Sequence, residues 1–318
     1  MRIAYRSCDA DNGKPRPPFF SKSLALASLL RAAQALPEPP SIVFLNDGPI
    51  ARERLAVMEN FGDVRPIRKG GSASRTYREM LAVVADEPGP DHELIWFAED
   101  DYLYLQDGLH RLSQAATARP DVNYFMIYGS KSLDIGRSDR HMAVLSEGGA
   151  DHPDATVDEI DGVAWFRLAS TTSTFGVRRG ALREDVRLLR FCALTGGSWD
   201  SATCRSLQGF RPHRPGTLRE DLLPFGKRPI GEWPKSVARG AVRALAIPLS
   251  MRSAARRRVL LGSDPEHALH MEAFTEPPHP ITTRTSKIDW PSVAQDAAEW
   301  AREHGIPVHA PAIGGHSE

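Results

Sequence analysis

The first 130 residues alternate between short apolar runs and longer segments whose apolar residues recur at helical spacing. The short runs predict strands at 2–7, 42–45, 64–67, 94–98 and 124–128. The segments between them predict helices at 21–36, where Ser21 or Ser23 can cap the start, and at 51–61, 72–86 and 107–119. This alternation predicts an α/β fold with a mostly parallel sheet flanked by helices.

The second half has a less regular pattern. Strands are predicted at 163–168 and 173–177, and helices near 180–190 and 199–208. Proline and glycine are frequent over 209–235, which predicts a surface loop or linker. The remaining predicted elements are a basic amphipathic helix over 236–261, interrupted at Pro248, and a last helix over 291–304.

Three adjacent carboxylates, Glu99-Asp100-Asp101, follow the predicted strand that contains Trp96. Ligands bind at the carboxyl ends of strands in open α/β sheets. Carboxylates this close repel one another unless donors or a cation neutralise them, and a hard divalent ion is a usual partner. Such an ion would in turn hold phosphate. The alternative is an ordinary acidic turn after a buried strand.

The composition excludes several classes of protein. Lys+Arg and Asp+Glu both number 40, so no overall positive charge favours a nucleic-acid partner. The three cysteines, Cys8, Cys192 and Cys204, lack metal-ligand spacing and indicate reduced thiols. No run approaches 18 apolar residues. We therefore expect a soluble cytoplasmic protein.

The strand ending in Glu99-Asp100-Asp101 resembles the DXD-type motif of nucleotide-diphospho-sugar glycosyltransferases of the GT-A (Rossmann-like) fold, especially bacterial family 2-like enzymes. The segment 70–74 resembles that family's Gly-Asn-x-x-Ser segment, with Gly71 where Asn is usual. The resemblance implies a nucleotide-diphospho-sugar donor and a Mn²⁺ or Mg²⁺ cofactor. It also implies a catalytic domain over 1–208, with a nucleotide half to about 130 and an acceptor half from about 131, and a helical C-terminal extension over 209–318.

The resemblance assigns roles to individual residues. Glu99 would lie on the ribose side and Asp101 would bind the metal, with Asp100 between them. The loops after the first two strands, which contain Ser7 and Asp47, would contact the nucleotide. The carboxylate of Asp47 could instead be satisfied by its own Asn-Asp-Gly turn. The hydroxyls of Ser72 and Ser74 could donate to the nucleotide, although helix capping is the alternative for at least one of them.

Two further assignments concern catalysis and the metal. Asp200 lies about where an inverting enzyme of this family would have its general base, while a carboxylate favoured by a helix N-terminus is the alternative. A C-terminal histidine often completes the metal site in that family. His270 is the first choice and His279 the second, and a solvated loop histidine is the alternative for either.

The segment 227–258 holds nine basic residues and one acidic residue, Glu232, with apolar residues between them. This pattern is typical of a peripheral contact with an anionic membrane at the inner face, or of a phosphorylated acceptor site. The alternative is a solvated helix face packed on the catalytic domain. Nucleic-acid binding fits poorly, because Trp233 is the only interleaved aromatic residue.

Three functional hypotheses follow. The first is a metal-dependent glycosyltransferase, inverting at the anomeric carbon, with a carbohydrate, lipid-linked or small-molecule acceptor. The second is a nucleotidyltransferase on a similar sheet, for which Lys14-Pro15-Arg16 is a weak version of the expected basic loop. The third is a non-catalytic protein that binds a sugar nucleotide or docks to a membrane.

Overall fold

The computed structural model describes residues 1–10, 13–128, 158–167, 171–197, 199–225, 227–272 and 288–308. In chain order the first half contains β1 (Arg2–Cys8), α1 (Lys22–Gln34), β2 (Ser41–Asp47), α2 (Arg52–Phe61), β3 (Asp63–Pro66), α3 (Ala73–Asp86), β4 (Leu94–Glu99), β5 (Tyr102–Tyr104), α4 (Gly108–Ala118) and β6 (Tyr124–Met126). The second half contains β7 (Asp158–Ile160), β8 (Val163–Arg167), β9 (Phe175–Arg178), α5 (Arg179–Cys192), α6 (Trp199–Leu207), α7 (Pro215–Leu222), α8 (Trp233–Ser250), β10 (Leu260–Asp264), β11 (Ala268–His270) and α9 (Trp290–Glu303).

Nine of these strands form one sheet in the order β3-β2-β1-β4-β9-β6-β10-β8-β7. β1 pairs in parallel with β2 and β4, and β2 pairs in parallel with β3. β9 lies antiparallel between β4 and β6, and β8 lies antiparallel between β10 and β7. Seven of the nine strands therefore point the same way, which confirms the predicted mostly parallel α/β sheet flanked by helices.

A second, two-stranded sheet pairs β5 with β11 in antiparallel fashion. It packs with α1 and α9 through a cluster of buried apolar side chains that includes Leu103, Leu269, Met271 and Trp290. α1 begins at the predicted cap, because the Ser21 hydroxyl accepts a hydrogen bond from the Leu24 N–H at 3.0 Å. The C-terminal helix α9 thus stabilises the small sheet whose residues reach the candidate site.

Two sequence predictions in the C-terminal third are wrong. The range 209–235 contains the helix α7, which begins with Pro215 in its first turn, where a missing N–H costs nothing. The basic helix begins at Trp233 and ends at Ser250 rather than 261, two residues after Pro248. Leu260–Asp264 then form a strand of the main sheet, between β6 and β8. The chain beyond residue 209 therefore contributes to the central sheet.

Within the described ranges, no helix combines the length and the apolar character needed to cross a bilayer.

Candidate active site

A cleft of about 820 Å³ opens at the carboxyl ends of β1, β2 and β4. The sheet register pairs Cys8 with Asp47 and Arg6 with Glu99, so the three strands end at the same level. Ser7, Asp47, Ser72, Glu99, Asp100, Asp101, Asp200 and His270 all line this cleft. The fold therefore brings together all but one of the site residues that the sequence predicted within the described part of the chain; the exception is Ser74.

Asp100 is held by donors from the end of β1. Its carboxylate accepts hydrogen bonds from the Ser7 hydroxyl at 3.1 Å and the Cys8 N–H at 2.9 Å. The Lys22 ammonium lies 3.3 Å from the same oxygen. Ser7 itself is buried and uses its hydroxyl on Asp100. This carboxylate therefore links β4 to β1 and brings a lysine into the cleft.

Glu99 forms an ion pair with Arg6 on the neighbouring strand. The buried Thr174 hydroxyl also donates to Glu99, at 3.5 Å. Arg6 donates in turn to the Thr76 hydroxyl at 3.0 Å. These contacts fix the Glu99 carboxylate at the floor of the cleft.

Asp101, His270 and Glu272 converge at one end of the cleft, with one potential ligand atom from each lying within 4.8 Å of the others. β5 and β11 bring them together, because their register pairs His270 with Tyr102 and the Met271 N–H donates to the Asp101 carbonyl at 2.8 Å. The His270 ring stacks on Tyr102 with centroids 4.7 Å apart. Its Nε2 lies 3.1 Å from Asp101 and 3.3 Å from Glu272.

This donor set fits a divalent cation. Two carboxylates and one imidazole are ligands that Mn²⁺ accepts, and Mg²⁺ accepts the carboxylates. Hydrogen bonding and stacking fix the His270 ring, as is usual for a histidine that binds metal. The three residues therefore form a candidate metal centre.

Basic side chains lie against this centre. Arg16 lies 3.3 Å from Asp101 and donates to the Met271 carbonyl at 2.8 Å, while Lys14 lies 2.5 Å from Glu272. Burial alone would raise the pKa of Asp101, but the hydrogen bond and charge of His270, together with Arg16, outweigh burial and lower that pKa to about 2. Asp101 is thus a carboxylate whose charged form is favoured by the Arg16 and His270 side chains beside it.

Asp47 binds a neighbouring loop. Its carboxylate accepts the Gly71 N–H at 2.9 Å, so its partner is neither its own turn nor a side chain. A Cβ at Gly70 would overlap this carboxylate, and Gly71 has φ +86°, in the left-handed region. The two glycines therefore let the loop before α3 close over Asp47.

The two serines that begin α3 have different surroundings. Ser72 caps the helix, its hydroxyl accepting the Arg75 N–H at 3.4 Å, and it also lines the cleft. Ser74 donates to the Ala193 carbonyl at 2.6 Å and is not among the residues that line the cleft. Ser74 therefore contributes to packing α3 against the end of α5.

Asp200 lies in the first turn of α6 and lines the cleft together with Thr172 and Ser173. Burial raises the pKa of its carboxyl, and a hydrogen bond from the Ser201 N–H at 2.8 Å only partly opposes this effect. The adjacent Trp199 packs against Tyr77 with centroids 4.5 Å apart. A half-buried carboxylate with a raised pKa is suited to accept a proton.

Several cleft residues were not assigned from the sequence. The sequence assigned no role to Glu272 and indicated only a weak basic loop at Lys14 and Arg16, although all three residues line the cleft. Arg6 and Lys22 also line it. The spacing offered one signal, because Glu272 lies two residues after His270, the last residue of β11. His279, the second-choice histidine, lies outside the described residues.

Comparisons with known proteins add no family assignment. No family model and no curated protein matches the chain. The solved structures that resemble it include S. aureus TarS 1-349 (12% identity, 78% of this chain and 81% of that chain, TM-score 0.42). They also include M. tuberculosis glucosyl-3-phosphoglycerate synthase (8%, 80% and 82%, 0.37) and CMP:2-keto-3-deoxy-manno-octonic acid synthetase with CTP (12%, 64% and 81%, 0.37). Likeness at this level shows nothing about activity.

Proposed function

We propose that this chain is a metal-dependent glycosyltransferase that moves a sugar from a nucleotide-diphospho-sugar donor to an acceptor hydroxyl. One observation carries the proposal: Asp101, His270 and Glu272 converge at the carboxyl edge of the sheet, in a cleft large enough for a nucleotide sugar. The cleft also holds Arg16 and Lys22, whose charges suit phosphate.

Asp101, His270 and Glu272 would hold Mn²⁺ or Mg²⁺. The bound ion would act as a Lewis acid that stabilises the negative charge on the leaving diphosphate. Arg16 and Lys14 form ion pairs with Asp101 and Glu272, two of these three residues. With a cation held by the three ligands, the Arg16 guanidinium and the Lys14 ammonium would suit the diphosphate oxygens. The ribose side of the donor would lie toward Glu99 and Asp47.

Asp200 would accept the proton of the acceptor hydroxyl in an inverting transfer. Its carboxyl lines the cleft together with Thr172, whose hydroxyl is bonded to the Tyr102 hydroxyl at 2.8 Å. A base with a raised pKa binds the proton more readily while the new glycosidic bond forms. The acceptor would be a carbohydrate, a lipid-linked molecule or a small molecule that enters past α6.

A nucleotidyltransferase is the second candidate, favoured by the position of Lys14 and Arg16. Both follow β1 and reach the cation centre, where they would suit the triphosphate of a nucleotide substrate. In that reaction the metal-assisted attack falls on an α-phosphate and releases pyrophosphate. The two candidates therefore differ in product: a nucleoside diphosphate in the first and pyrophosphate in the second.

The decisive experiment incubates the protein with Mn²⁺, candidate acceptors and panels of nucleotide sugars and nucleoside triphosphates. Release of a nucleoside diphosphate that requires both Mn²⁺ and Asp101 would support the glycosyltransferase. Release of pyrophosphate from a triphosphate would support the second candidate. Neither product in any combination, with nucleotide binding retained, would favour the non-catalytic hypothesis.

We also propose a peripheral membrane contact through an apolar strip on α8 and the residue after it, composed of Val237, Leu245, Leu249 and Met251. These side chains are 42–79% exposed. Five of the nine basic residues in 227–258 are held in ion pairs with aspartates of the fold, because Arg228, Arg239 and Arg243 pair with Asp221, and Arg252 and Arg258 with Asp185. The contact would therefore depend on apolar insertion more than on charge.

A further inference from the structure

A second pocket, which we call the basic pocket, lies outside the cleft and has a volume of about 480 Å³. It is lined by Arg68, Lys69, Gly70, Arg75, Arg78, Glu79 and Arg190. Five cationic side chains thus face one carboxylate, in a chain whose formal net charge is zero. This local excess of positive charge needs a physical reason.

Three elements build the basic pocket. Arg68 and Lys69 lie in the loop between β3 and α3, Arg75 and Arg78 lie one turn apart on α3, and Arg190 lies in the last turn of α5. Residues three apart on a helix lie on the same face, so Arg75 and Arg78 reach the same space. The pocket is therefore formed by the folded arrangement of α3 and α5.

None of the five cationic side chains has an ion pair or a hydrogen bond within the part of the chain that the structure describes. The contrast on α5 is clear, because Arg179 and Arg183 bind Glu93 and Asp91. The Nε atoms of Arg78 and Arg190 are also buried without a hydrogen-bond partner. Buried donors are satisfied in most proteins, because leaving them unsatisfied costs free energy.

We propose that the basic pocket binds a ligand that carries two or more negative charges on phosphate groups. Guanidinium groups match phosphate oxygens with paired, charge-assisted hydrogen bonds, and three or four of them around one space favour a multiply charged anion. The volume suits a small ligand or headgroup. Such an anion would satisfy the buried Nε donors and remove the repulsion among the five cations.

The basic pocket is separate from the cleft but adjoins it. Gly70 lines the basic pocket, while Gly71 and Ser72 line the cleft. The site does not depend on the proposed glycosyl transfer, because none of its charged residues lines the cleft. A ligand there would contact the same loop that closes over Asp47.

Calorimetric titration with inorganic pyrophosphate tests the proposal. The double variant Arg78→Gln/Arg190→Gln should weaken pyrophosphate binding at least tenfold. Arg187→Gln, which removes an exposed cation from α5 outside the pocket, is the matched control and should bind as the unmodified protein does. All titrations are repeated in an Arg16→Gln background, so that binding in the cleft is recognised and subtracted.

Equal pyrophosphate affinity in the double variant and in the Arg187→Gln control would overturn the proposal. If the double variant does not fold, the single variant Arg75→Gln replaces an exposed side chain and should still weaken binding severalfold. Unchanged affinity there would overturn it equally.

The phosphate could belong to a free molecule or to a lipid headgroup, and a vesicle experiment separates these sources. Vesicles of phosphatidylcholine with one third cardiolipin, whose headgroup carries two phosphates, are sedimented with each variant. Retention that falls in Arg78→Gln/Arg190→Gln but not in Arg187→Gln would identify a headgroup. Pyrophosphate binding without such a fall would identify a free phosphorylated ligand, and the absence of both effects would refute the site.

Discussion

Asp101→Asn removes the charge on which the proposed cation centre depends and keeps the shape of the side chain. Burial opposes the charged form of Asp101, but His270 and Arg16 outweigh burial and lower its pKa from 3.8 to about 2. A shift of this size means that the ionised Asp101 carboxylate adds about 2 kcal/mol to the free energy of unfolding, since each pKa unit corresponds to roughly 1.4 kcal/mol.

The sign of this contribution sets its pH dependence. A carboxyl whose pKa is lowered by folding stabilises the protein above its unfolded pKa, and loses that effect as the pH falls toward the folded value. In EDTA at pH 7, Asp101→Asn should therefore lower the free energy of unfolding by about 2 kcal/mol. The difference from the unmodified protein should shrink as the pH falls from about 4 to about 2.

Urea unfolding in EDTA and in Mn²⁺ measures both effects. A cation at a hundredfold over its dissociation constant should stabilise the unmodified protein by about 2.7 kcal/mol. Asp101→Asn should lose most of this gain. Asp100→Asn is the neighbouring control: it also loses hydrogen bonds but should keep the Mn²⁺ response, because Asp100 is bound by Ser7 and Cys8. Equal stabilisation of Asp101→Asn by Mn²⁺ would refute the assignment of the metal centre.

Three further predictions follow from the site and from α8. Asp200→Asn should leave donor binding intact and slow turnover by about 10²–10⁴-fold. Burial raises the pKa of the Asp200 carboxyl, so its ionised form lowers stability as the pH rises through that pKa. The variant should therefore be at least as stable as the unmodified protein in thermal unfolding at pH 8. A loss of nucleotide affinity in calorimetry would contradict the role of base. Arg16→Gln should tighten Mn²⁺ binding in the absence of nucleotide, since Arg16 competes with the cation for Asp101. The same variant should weaken binding of a nucleoside diphosphate. Changes of the same sign in the two titrations would disprove this dual role. The double variant Leu245→Glu/Leu249→Glu should sediment less with anionic vesicles. The control Leu194→Glu replaces an exposed leucine outside α8 and should sediment as the unmodified protein does. Equal sedimentation of the double variant and the control would exclude the apolar strip as a membrane contact.

The sequence predicted the first half of the fold because long apolar runs and capped helices alternate there. The C-terminal third was harder, since β10 has only five residues and follows directly after a basic segment with helical spacing. The helix α7 was not predicted, because the proline and glycine residues around it indicated a loop. A proline in the first turn is nevertheless typical of a helix start.

The candidate site was predictable where its residues follow strands. Glu99, Asp100 and Asp101 could be placed because β4 ends at Glu99. Contacts between residues distant in sequence could not be derived from spacing. The pairing of Lys14 with Glu272 joins positions 258 residues apart, and the Asp47 contact with Gly71 depends on a loop conformation that only two glycines allow.

The position of β10 between β6 and β8 has a consequence for folding during synthesis. A ribosome makes the acidic end of β4 early in synthesis. More than 150 residues later it makes β10, which lies between β6 and β8 in the sheet, and then His270 and Glu272. Until then the nascent chain exposes an unfinished sheet edge and a carboxylate cluster that lacks its histidine. Pairings this distant in sequence form slowly, because the loop must close before any contact compensates for its entropy. We therefore expect the main sheet and the capacity to hold a cation to be completed together, late in translation.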